Sequence, residues 1–318
     1  MKIAVIGAGA VGVGVCHYII ALGSGCSELV LIDRNVQKAE GEMLDFGHAN
    51  SLFFSNNIKL VGGDDYSLVQ DADIVVITAG AQVKEGQSRL DLAEINSQIT
   101  VDIAKEIERY APKAVLIVIT NPCDIASYFI QKNTNFSREQ VISAGCVIDT
   151  ARLRKIVSER VNVDPKSVSG YILGEHGAHC FMPWNLVGVA GQPIDYYCDQ
   201  NGFDRYQPKE LLEHVIQAGY EIFQRKANTT HAISASVFRL IRAIIIDENS
   251  ILPVGTLLQG EYDIEDVVLS LPTIVNGRGA DKVLVHPFSE VELEELQSIS
   301  SSLKSLIADV AIKTKLAC

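Results

Sequence analysis

Residues 2–33 read KIAVIGAGAVGVGVCHYIIALGSGCSELVLID. A β-branched strand over Lys2–Ile6 runs into a glycine turn, a helix is predicted from Ala10 to Leu22, and a second apolar strand ends in Asp33. The turn has the pattern Gly-x-Gly-x-x-Gly, formed by Gly7, Gly9 and Gly12. Such glycines let backbone amides approach a pyrophosphate at a helix N-terminus, and an acid about twenty residues further on accepts hydrogen bonds from a ribose. The stretch therefore predicts a dinucleotide-binding unit.

A tight glycine turn, with Asp33 as a surface cap, is the alternative interpretation of the same residues. It explains the glycines but not the spacing of twenty-one residues between Gly12 and Asp33. A carboxylate at position 33 would also repel the 2′-phosphate of NADP, so the stretch favours NAD as the cofactor.

The alternation of apolar strands and helices continues to about residue 145. Further strands are predicted at Leu29–Ile32, Ile58–Val61, Asp73–Thr78, Ala114–Thr120 and Val141–Ala144, with helices at Val36–Asn50, Ile95–Tyr110 and Asp124–Lys132. This pattern indicates an α/β fold, with a doubly wound parallel sheet in an N-terminal Rossmann domain over residues 1–145. Ligands of such a sheet bind at the carboxyl ends of its strands. Those ends include Ala79, Gly80 and Asn121, although Asn121 could equally cap a helix that begins with proline.

The pattern changes after residue 145, and we expect residues 146–318 to form a C-terminal α+β substrate domain. Strands of a mixed or antiparallel sheet are predicted at Val168–Leu173, Phe181–Val189, Val254–Leu258 and Val267–Ile274. Long helices are predicted at about 208–246, with a break near Ala227, and at 289–313. No linker rich in proline or serine separates the two halves, so they should pack closely.

Three polar residues between positions 145 and 179 are suited to acid–base chemistry. Asp149 and Arg152 stand three residues apart and share one face of a predicted helix, and His176 follows an apolar run. The carboxylate could fold back onto His176, fix its tautomer and raise its pKa, which keeps the ring protonated near neutral pH. Arg152 could hold a substrate carboxylate through two hydrogen bonds. A structural ion pair is the alternative, because such pairs perturb pKa values too.

A polar loop of unusual length, from about residue 81 to 92, follows one of the predicted strand ends. It holds Gly86 as a hinge candidate and carries Arg89, so it is typical of a lid over a site. On closure Arg89 could stabilise charge on a reacting oxygen. A solvated surface arginine is the alternative.

The bulk composition excludes several classes of protein. The chain has 318 residues and a formal net charge of -12 without a Lys/Arg cluster, which argues against nucleic acid as a partner. Its seven cysteines form no Cys-x-x-Cys pair, no apolar run approaches the roughly 18 residues that cross a bilayer, and the first residues do not have the pattern expected of a signal peptide. His176, His179 and Cys180 could suggest a zinc site, but no fourth ligand stands at the spacing of a zinc finger, so no metal is expected. We therefore expect a soluble cytoplasmic protein with no membrane partner.

The motifs GAGAVG, ITAG, SRLDL, TNP, DTAR and GEHG follow one another in this order, with Asp33 between the first two. In order and spacing they closely resemble the L-lactate/malate dehydrogenase superfamily over the whole chain. The resemblance implies hydride transfer from NADH to C2 of a small 2-oxo acid, with a proton from the protein, and the reverse reaction on the 2-hydroxy acid. It also implies a homotetramer or a homodimer.

The resemblance assigns roles to residues of this chain. The catalytic positions are His176 as proton donor, Asp149 as its orienting partner and Arg89 as the lid arginine that polarises the carbonyl. The substrate-binding positions are Arg152 for the carboxylate, Asn121, Thr229 beside the substrate methyl group, and Val83. The cofactor-binding positions are Gly7, Gly9, Val11, Gly12, Asp33, Thr78, Ala79, Gly80, Asn121 and Ile233.

Position 83 bears on the choice of substrate. Six residues before the lid arginine, lactate enzymes of this family carry glutamine and malate enzymes carry arginine, whereas this chain has Val83. Without an arginine the second carboxylate of oxaloacetate would be unpaired in a closed site, which disfavours a malate dehydrogenase. L-lactate dehydrogenase is the leading interpretation. The alternatives are a hydroxyisocaproate-type L-2-hydroxyacid dehydrogenase for larger apolar 2-oxo acids and a non-catalytic NAD-binding protein.

Two other positions depart from the family pattern. Ala178 and His179 follow GEHG, where the family usually has Asp or Asn and then a small polar residue. Arg154 matches one half of the fructose 1,6-bisphosphate site of activated bacterial lactate enzymes, but Ser169 stands where the histidine of that site would be. Since half of the anion site is missing, the resemblance does not support this activation.

Overall fold

The computed structural model describes residues 1–23, 25–52, 57–82 and 88–318. The first half of the chain alternates strands with helices. Its strands are β1 (Lys2–Ile6), β2 (Glu28–Ile32), β3 (Lys59–Gly63), β4 (Ile74–Ile77), β5 (Val115–Val118) and β6 (Val141–Ser143). Its helices are α1 (Ala10–Leu22), α2 (Val36–Asn50), α3 (Arg89–Tyr110), α4 (Cys123–Asn133) and α5 (Val147–Arg160).

These six strands pair in parallel, in the order β3-β2-β1-β4-β5-β6. Apart from the edge strand β3, the side chains of these strands are mostly buried on both faces; Ile3, Leu29 and Val75 have no exposed surface. Apolar runs of this kind form parallel strands because helices cover both faces of the sheet. The direction of winding reverses between β1 and β4, which creates a crevice at the carboxyl ends of these strands. The doubly wound parallel sheet predicted from the sequence is confirmed.

The second half adds antiparallel strands to the same sheet. Its strands are β7 (Val168–Ser169), β8 (Leu173–Gly174), β9 (Cys180–Phe181), β10 (Gly188–Val189), β11 (Gln192–Pro193), β12 (Ser250–Gln259), β13 (Glu265–Asn276) and β14 (Gly279–Val283). Its helices are α6 (Ile194–Asn201), α7 (Pro208–Lys226), α8 (His231–Ile245) and α9 (Glu290–Thr314). Gly255 of β12 pairs with Ser143 of β6, and the sheet continues in the order β12-β13-β8-β9. The two halves are therefore joined by a continuous sheet as well as by side-chain packing.

Two of the predicted strands in this half are wrong. Val168–Leu173 is divided at Gly170, whose φ is 141°, into β7 and β8, which belong to different sheets. Phe181–Val189 contains a 3-10 turn at Trp184–Leu186, so only its two ends are strands. Both segments are apolar because they are buried, and burial alone does not require extended backbone.

Helix α3 begins at Arg89, six residues before the predicted start at Ile95. Ser88 and Asp91 form a reciprocal capping box there, which satisfies backbone amides of the first turn. The arginine assigned to the lid is therefore the first residue of a helix. The predicted break near Ala227 is confirmed, since α7 ends at that residue, whose φ is 61°. Within the four described ranges, no helix has both the length and the apolar character needed to span a bilayer.

Candidate active site

The glycine turn lies at the carboxyl end of β1, against the end of β4. Gly7 has a φ of 110°, and a Cβ atom there would lie 2.8 Å from the hydroxyl oxygen of Thr78. A Cβ on Gly12 would collide with the carbonyl oxygen of Gly7. By contrast, Gly9 is the N-cap of α1, and apart from its two chain neighbours no described residue has an atom within 4 Å of its Cβ position. The N-terminus of α1 is thus open at Gly9, as the binding of a pyrophosphate requires.

Asp33 lies at the end of β2, beside this turn. One carboxylate oxygen accepts a hydrogen bond from the Ala8 amide at 2.7 Å, and the other accepts one from the Asn35 amide at 2.9 Å. Each oxygen keeps a lone pair that could accept a ribose hydroxyl. At the end of β4 the Thr78 hydroxyl donates to the Gly7 carbonyl at 3.1 Å, and Ala79 and Gly80 follow it. The residues assigned to the cofactor from the sequence therefore converge at one edge of the sheet.

A cavity of about 120 Å³ lies beside this edge, between residues of both halves. It is lined by Val11, Ile119, Asn121, Cys123, Ala144, Gly145, Ile148, Arg152, His176, Thr229 and Ile233. Six of these are residues selected from the sequence, namely Val11, Asn121, Arg152, His176, Thr229 and Ile233. Apolar walls with a few convergent polar groups are typical of a small-molecule site.

Asp149 joins the two charged groups of the cavity. Its Oδ2 lies 2.6 Å from His176 Nδ1, and its Oδ1 accepts a hydrogen bond from Arg152 Nη1 at 2.7 Å. Asp149 is only 3% exposed, whereas the side chains of His176 and Arg152 are 22% and 16% exposed. Because a carboxylate only accepts, Nδ1 carries the proton of this hydrogen bond, and Nε2 is the nitrogen available to a substrate.

The charges of this unit stabilise one another. Burial lowers the pKa of His176, but the charge of Asp149, the hydrogen bond to it and the charge of Asp124 together outweigh burial, so the pKa is raised. For Asp149, burial raises the pKa, but His176 and Arg152 more than offset it, so that the net pKa is lowered. The arrangement therefore favours an anionic Asp149 beside a protonated His176.

Gly219 of α7 makes room for the guanidinium of Arg152. A Cβ at this position would lie 2.9 Å from Arg152 Nη2, the far end of a flexible side chain that can move aside. We expect Gly219→Ala to raise the KM for a 2-oxo acid roughly tenfold or more, because the carboxylate-binding group is displaced. Thermal unfolding should show no loss of stability, because alanine in a helix interior is favoured over glycine by about 0.5–1 kcal/mol.

Gly41→Ala is a matched control for this variant. Gly41 lies within α2, and apart from the backbone of that helix and the two chain neighbours, no described atom lies within 4 Å of its Cβ position. It should give the same gain in helix stability without a change in KM. An unchanged KM in Gly219→Ala would show that Arg152 does not bind the substrate carboxylate.

Arg89 is not among the residues that line the cavity. Its Nη2 forms an ion pair with Glu175, and its Nη1 lies 3.1 Å from Nδ1 of His179. The guanidinium is thus tied to a buried carboxylate one residue before His176, which is not the environment of a solvated surface arginine. Val83 and the proposed hinge Gly86 lie outside the described residues.

Two family models together match almost the whole sequence. Residues 1–143 match the NAD-binding domain of lactate/malate dehydrogenase, and residues 146–314 match the alpha/beta C-terminal domain of lactate/malate dehydrogenase. This chain belongs to the lactate/malate dehydrogenase family.

Individual members of the family are similar over nearly their full length. L-lactate dehydrogenase 2 of Clostridium acetobutylicum is 42% identical over 312 residues, which cover 96% of each chain. A lactate dehydrogenase from a Medee basin deep-sea metagenome library superimposes with a TM-score of 0.92, at 33% identity over 98% of each chain. The malate dehydrogenase of Aeropyrum pernix superimposes with a TM-score of 0.89, at 30% identity over 96% of this chain and 97% of that one. Because a lactate and a malate enzyme fit almost equally well, the fold does not separate the two substrates.

Two buried residues of this lactate/malate dehydrogenase site were not recognised from the sequence. Asp124, 2% exposed, accepts a hydrogen bond from the His176 amide at 2.9 Å, and burial raises the pKa of its carboxyl group. Asn96, 1% exposed, accepts from the Ala81 amide at 2.7 Å and donates to the Asn121 carbonyl at 2.6 Å. Both hold strand ends in place around the cavity. Asp124 had one local signal, since an acid two residues after the TNP motif stands in the first turn of a helix at a strand end.

Proposed function

We propose that this protein is an NAD-dependent L-lactate dehydrogenase that interconverts pyruvate and L-lactate. The observation that carries the proposal is the hydrogen-bonded unit of His176, Asp149 and Arg152 at the cavity beside α1. It places a proton donor, His176, next to a carboxylate-binding group, Arg152. This arrangement matches the adjacent keto and carboxylate groups of a 2-oxo acid. The name of the Clostridium acetobutylicum relative, L-lactate dehydrogenase 2, supports the same activity.

The residues act as follows in the reduction of pyruvate. NADH, when bound, supplies the hydride. Arg152 holds the substrate carboxylate through N–H groups that Asp149 does not use. His176 donates its Nε2 proton to the keto oxygen as that oxygen becomes a hydroxyl, and Asp149 keeps the ring oriented through Nδ1. In the reverse direction neutral His176 accepts the hydroxyl proton at Nε2.

The remaining cavity residues orient the two ligands. We assign Asn121 to both the substrate carbonyl and the nicotinamide, Thr229 to the substrate methyl group, and Ile233 with Val11 to the nicotinamide ring. The turn at Gly9 receives the pyrophosphate, and Asp33 binds the adenosine ribose, a position where a 2′-phosphate would be repelled. The cofactor is therefore NAD rather than NADP.

Arg89 acts in the closed state of the enzyme. Its guanidinium leaves Glu175 and moves to the keto oxygen, where it stabilises the negative charge that develops during hydride transfer. Closure also excludes water from the cavity, which strengthens the contacts of His176 and Arg152 with the substrate.

Larger apolar 2-oxo acids are the alternative substrates, because Val83 replaces the glutamine that the lactate enzymes carry. The test is a kcat/KM panel with NADH against pyruvate, 2-oxobutyrate, 2-oxoisocaproate, phenylpyruvate and oxaloacetate. We expect pyruvate to be preferred and oxaloacetate to be poor. A steady rise with side-chain length would instead identify a branched-chain 2-hydroxyacid dehydrogenase, and no turnover of any compound would leave a non-catalytic NAD-binding protein.

We also propose the organisation of the molecule. Residues 1–145 form the NAD-binding domain and residues 146–318 the substrate domain, a division supported by family models that meet between 143 and 146. The enzyme is cytoplasmic and assembles as a homotetramer or homodimer. Large apolar side chains on α2 and α7 support assembly, since Leu44 and Phe223 are 67% and 57% exposed in the single chain.

A further inference from the structure

Arg89 lies in a closed triangle of side chains. Its Nη2 forms an ion pair with Glu175, and its Nη1 is 3.1 Å from His179 Nδ1. The same Nδ1 is 2.9 Å from Oε2 of Glu175. Glu175 is 3% exposed, whereas half of the His179 side chain is exposed to solvent. Each member of the triangle therefore contacts both others, and His179 is the member that solvent protons reach.

His179 Nδ1 cannot satisfy both neighbours at once. Arg89 only donates hydrogen bonds, so it needs a lone pair on Nδ1, whereas Glu175 as a carboxylate only accepts, so it needs a proton there. A ring nitrogen of histidine carries either a lone pair or a proton, so it can bind only one of these two neighbours at a time. Neutral His179 with a bare Nδ1 therefore adds an acceptor for Arg89, and protonated His179 binds Glu175 instead.

Protonation also changes the charge balance around Arg89. A charged imidazole places a second cation on the one buried carboxylate that pairs with the guanidinium, and it repels the guanidinium directly. The charged groups that contact His179 in the described part of the chain are Glu175 and Arg89. Asp124 acts on Arg89 as a further anion: burial lowers the pKa of Arg89, and the charge of Asp124 opposes this. Arg89 therefore stays cationic and has a second carboxylate nearby on the side of His176.

We propose that Glu175 and His179 form a holding site for the Arg89 guanidinium, and that protonation of His179 releases Arg89 toward a substrate bound at His176. His179 is a positioning residue, because it acts on the substrate only through Arg89. The inference rests on the proposed function. Release of Arg89 makes the rate of hydride transfer to the 2-oxo acid rise as His179 takes up its proton, which couples reduction of the acid to an acidic environment.

The test compares the wild-type enzyme with His179→Asn. Asparagine supplies an acceptor oxygen and a donor nitrogen near the position of Nδ1, but it does not titrate. With saturating NADH, kcat/KM for pyruvate is measured from about pH 5 to about pH 9, the interval in which histidine changes charge. The pH dependence of His176 is common to both proteins and cancels in the ratio of wild type to variant.

We expect this ratio to rise roughly two- to fivefold from the alkaline to the acidic end, the size typical of one contact between partly exposed charges. The change should be in kcat, because Arg89 stabilises charge that develops only during hydride transfer, and the Kd of NADH should be alike in the two proteins. In an Arg89→Gln background the His179→Asn substitution should leave the pH dependence unchanged. A flat ratio in the wild-type background, or a pH-dependent ratio that persists without Arg89, would overturn the holding site.

Failure of the proposed function gives a different result. If the wild type turned over no 2-oxo acid at any pH, the lactate dehydrogenase assignment would be lost, and the triangle would be tested by NMR of the histidine ring nitrogens at alkaline pH. The Nδ1 signal of His179 should then differ between the wild type and Arg89→Gln, because the guanidinium contacts that nitrogen in the wild type. Identical signals in the two proteins would overturn the contact itself.

Discussion

Replacing His176 with asparagine is expected to lower kcat for pyruvate reduction by roughly 10²–10⁴-fold, the range lost with a general acid. The amide nitrogen of asparagine can still donate to Asp149 Oδ2, which now binds His176 Nδ1 at 2.6 Å, so the carboxylate is not left unpaired. No proton donor of suitable pKa remains for the keto oxygen. Steady-state kinetics measure the loss, and fluorescence titration should give an unchanged Kd for NADH.

The shape of the pH profile separates a lost proton donor from a disturbed fold. In the wild type, kcat/KM for pyruvate should fall as the pH rises through the raised pKa of His176, because only the protonated ring can donate. His176→Asn should lack this limb. His214→Asn, the same replacement at an exposed position on α7, should retain both the limb and the rate. Near-normal turnover by His176→Asn would remove His176 from the mechanism.

The features of the fold that were predictable from the sequence are those set by neighbours in the chain. The strand, glycine turn and helix over residues 2–33 are local, and α1 was predicted with the bounds that the structure gives. Asp149 and Arg152 were predicted on one helix face because three residues separate them. The lid, by contrast, was predicted from the length, polarity and position of a loop, and the capping box at Ser88 makes Arg89 helical.

The unpredicted parts of the site depend on contacts between distant residues. Asp124 is 52 residues from His176, whose amide it binds, and the contact forms only because β5, β6 and β8 bring α4 under that loop. Gly219 is required by the guanidinium of Arg152 on another helix, so its sequence neighbours give no sign of it. His179 was noted as a departure from the family pattern, but its partner Arg89 is 90 residues away. Such contacts follow from topology rather than from a local pattern.

Asp149→Asn is expected to reduce kcat/KM for pyruvate by roughly 10²–10⁴-fold, although it leaves the number of non-hydrogen atoms in the side chain unchanged. Asp149 gives one oxygen to His176 and the other to Arg152, and both of these partners donate. Asparagine has a single acceptor oxygen, so one donor must face its NH₂ group. If the NH₂ group faces Arg152, the guanidinium loses its hydrogen bond to residue 149. If it faces His176, the ring must present an unprotonated Nδ1, which the imidazolium form cannot do.

The pH dependence shows which of these losses dominates. Asp149 raises the pKa of His176 against the opposing effect of burial, so without its charge the pKa falls and the limb of the kcat/KM profile moves to lower pH. At neutral pH most of the enzyme then lacks the donor proton, and activity should recover partly on acidification. Asp195→Asn is the matched control, because Asp195 is a half-buried carboxylate that accepts a hydrogen bond from the Trp184 indole and does not line the cavity, and the variant should shift nothing. A limb that stayed at its wild-type position in Asp149→Asn would mean that the charge of Asp149 does not set the protonation of His176, and that its main task is to hold Arg152.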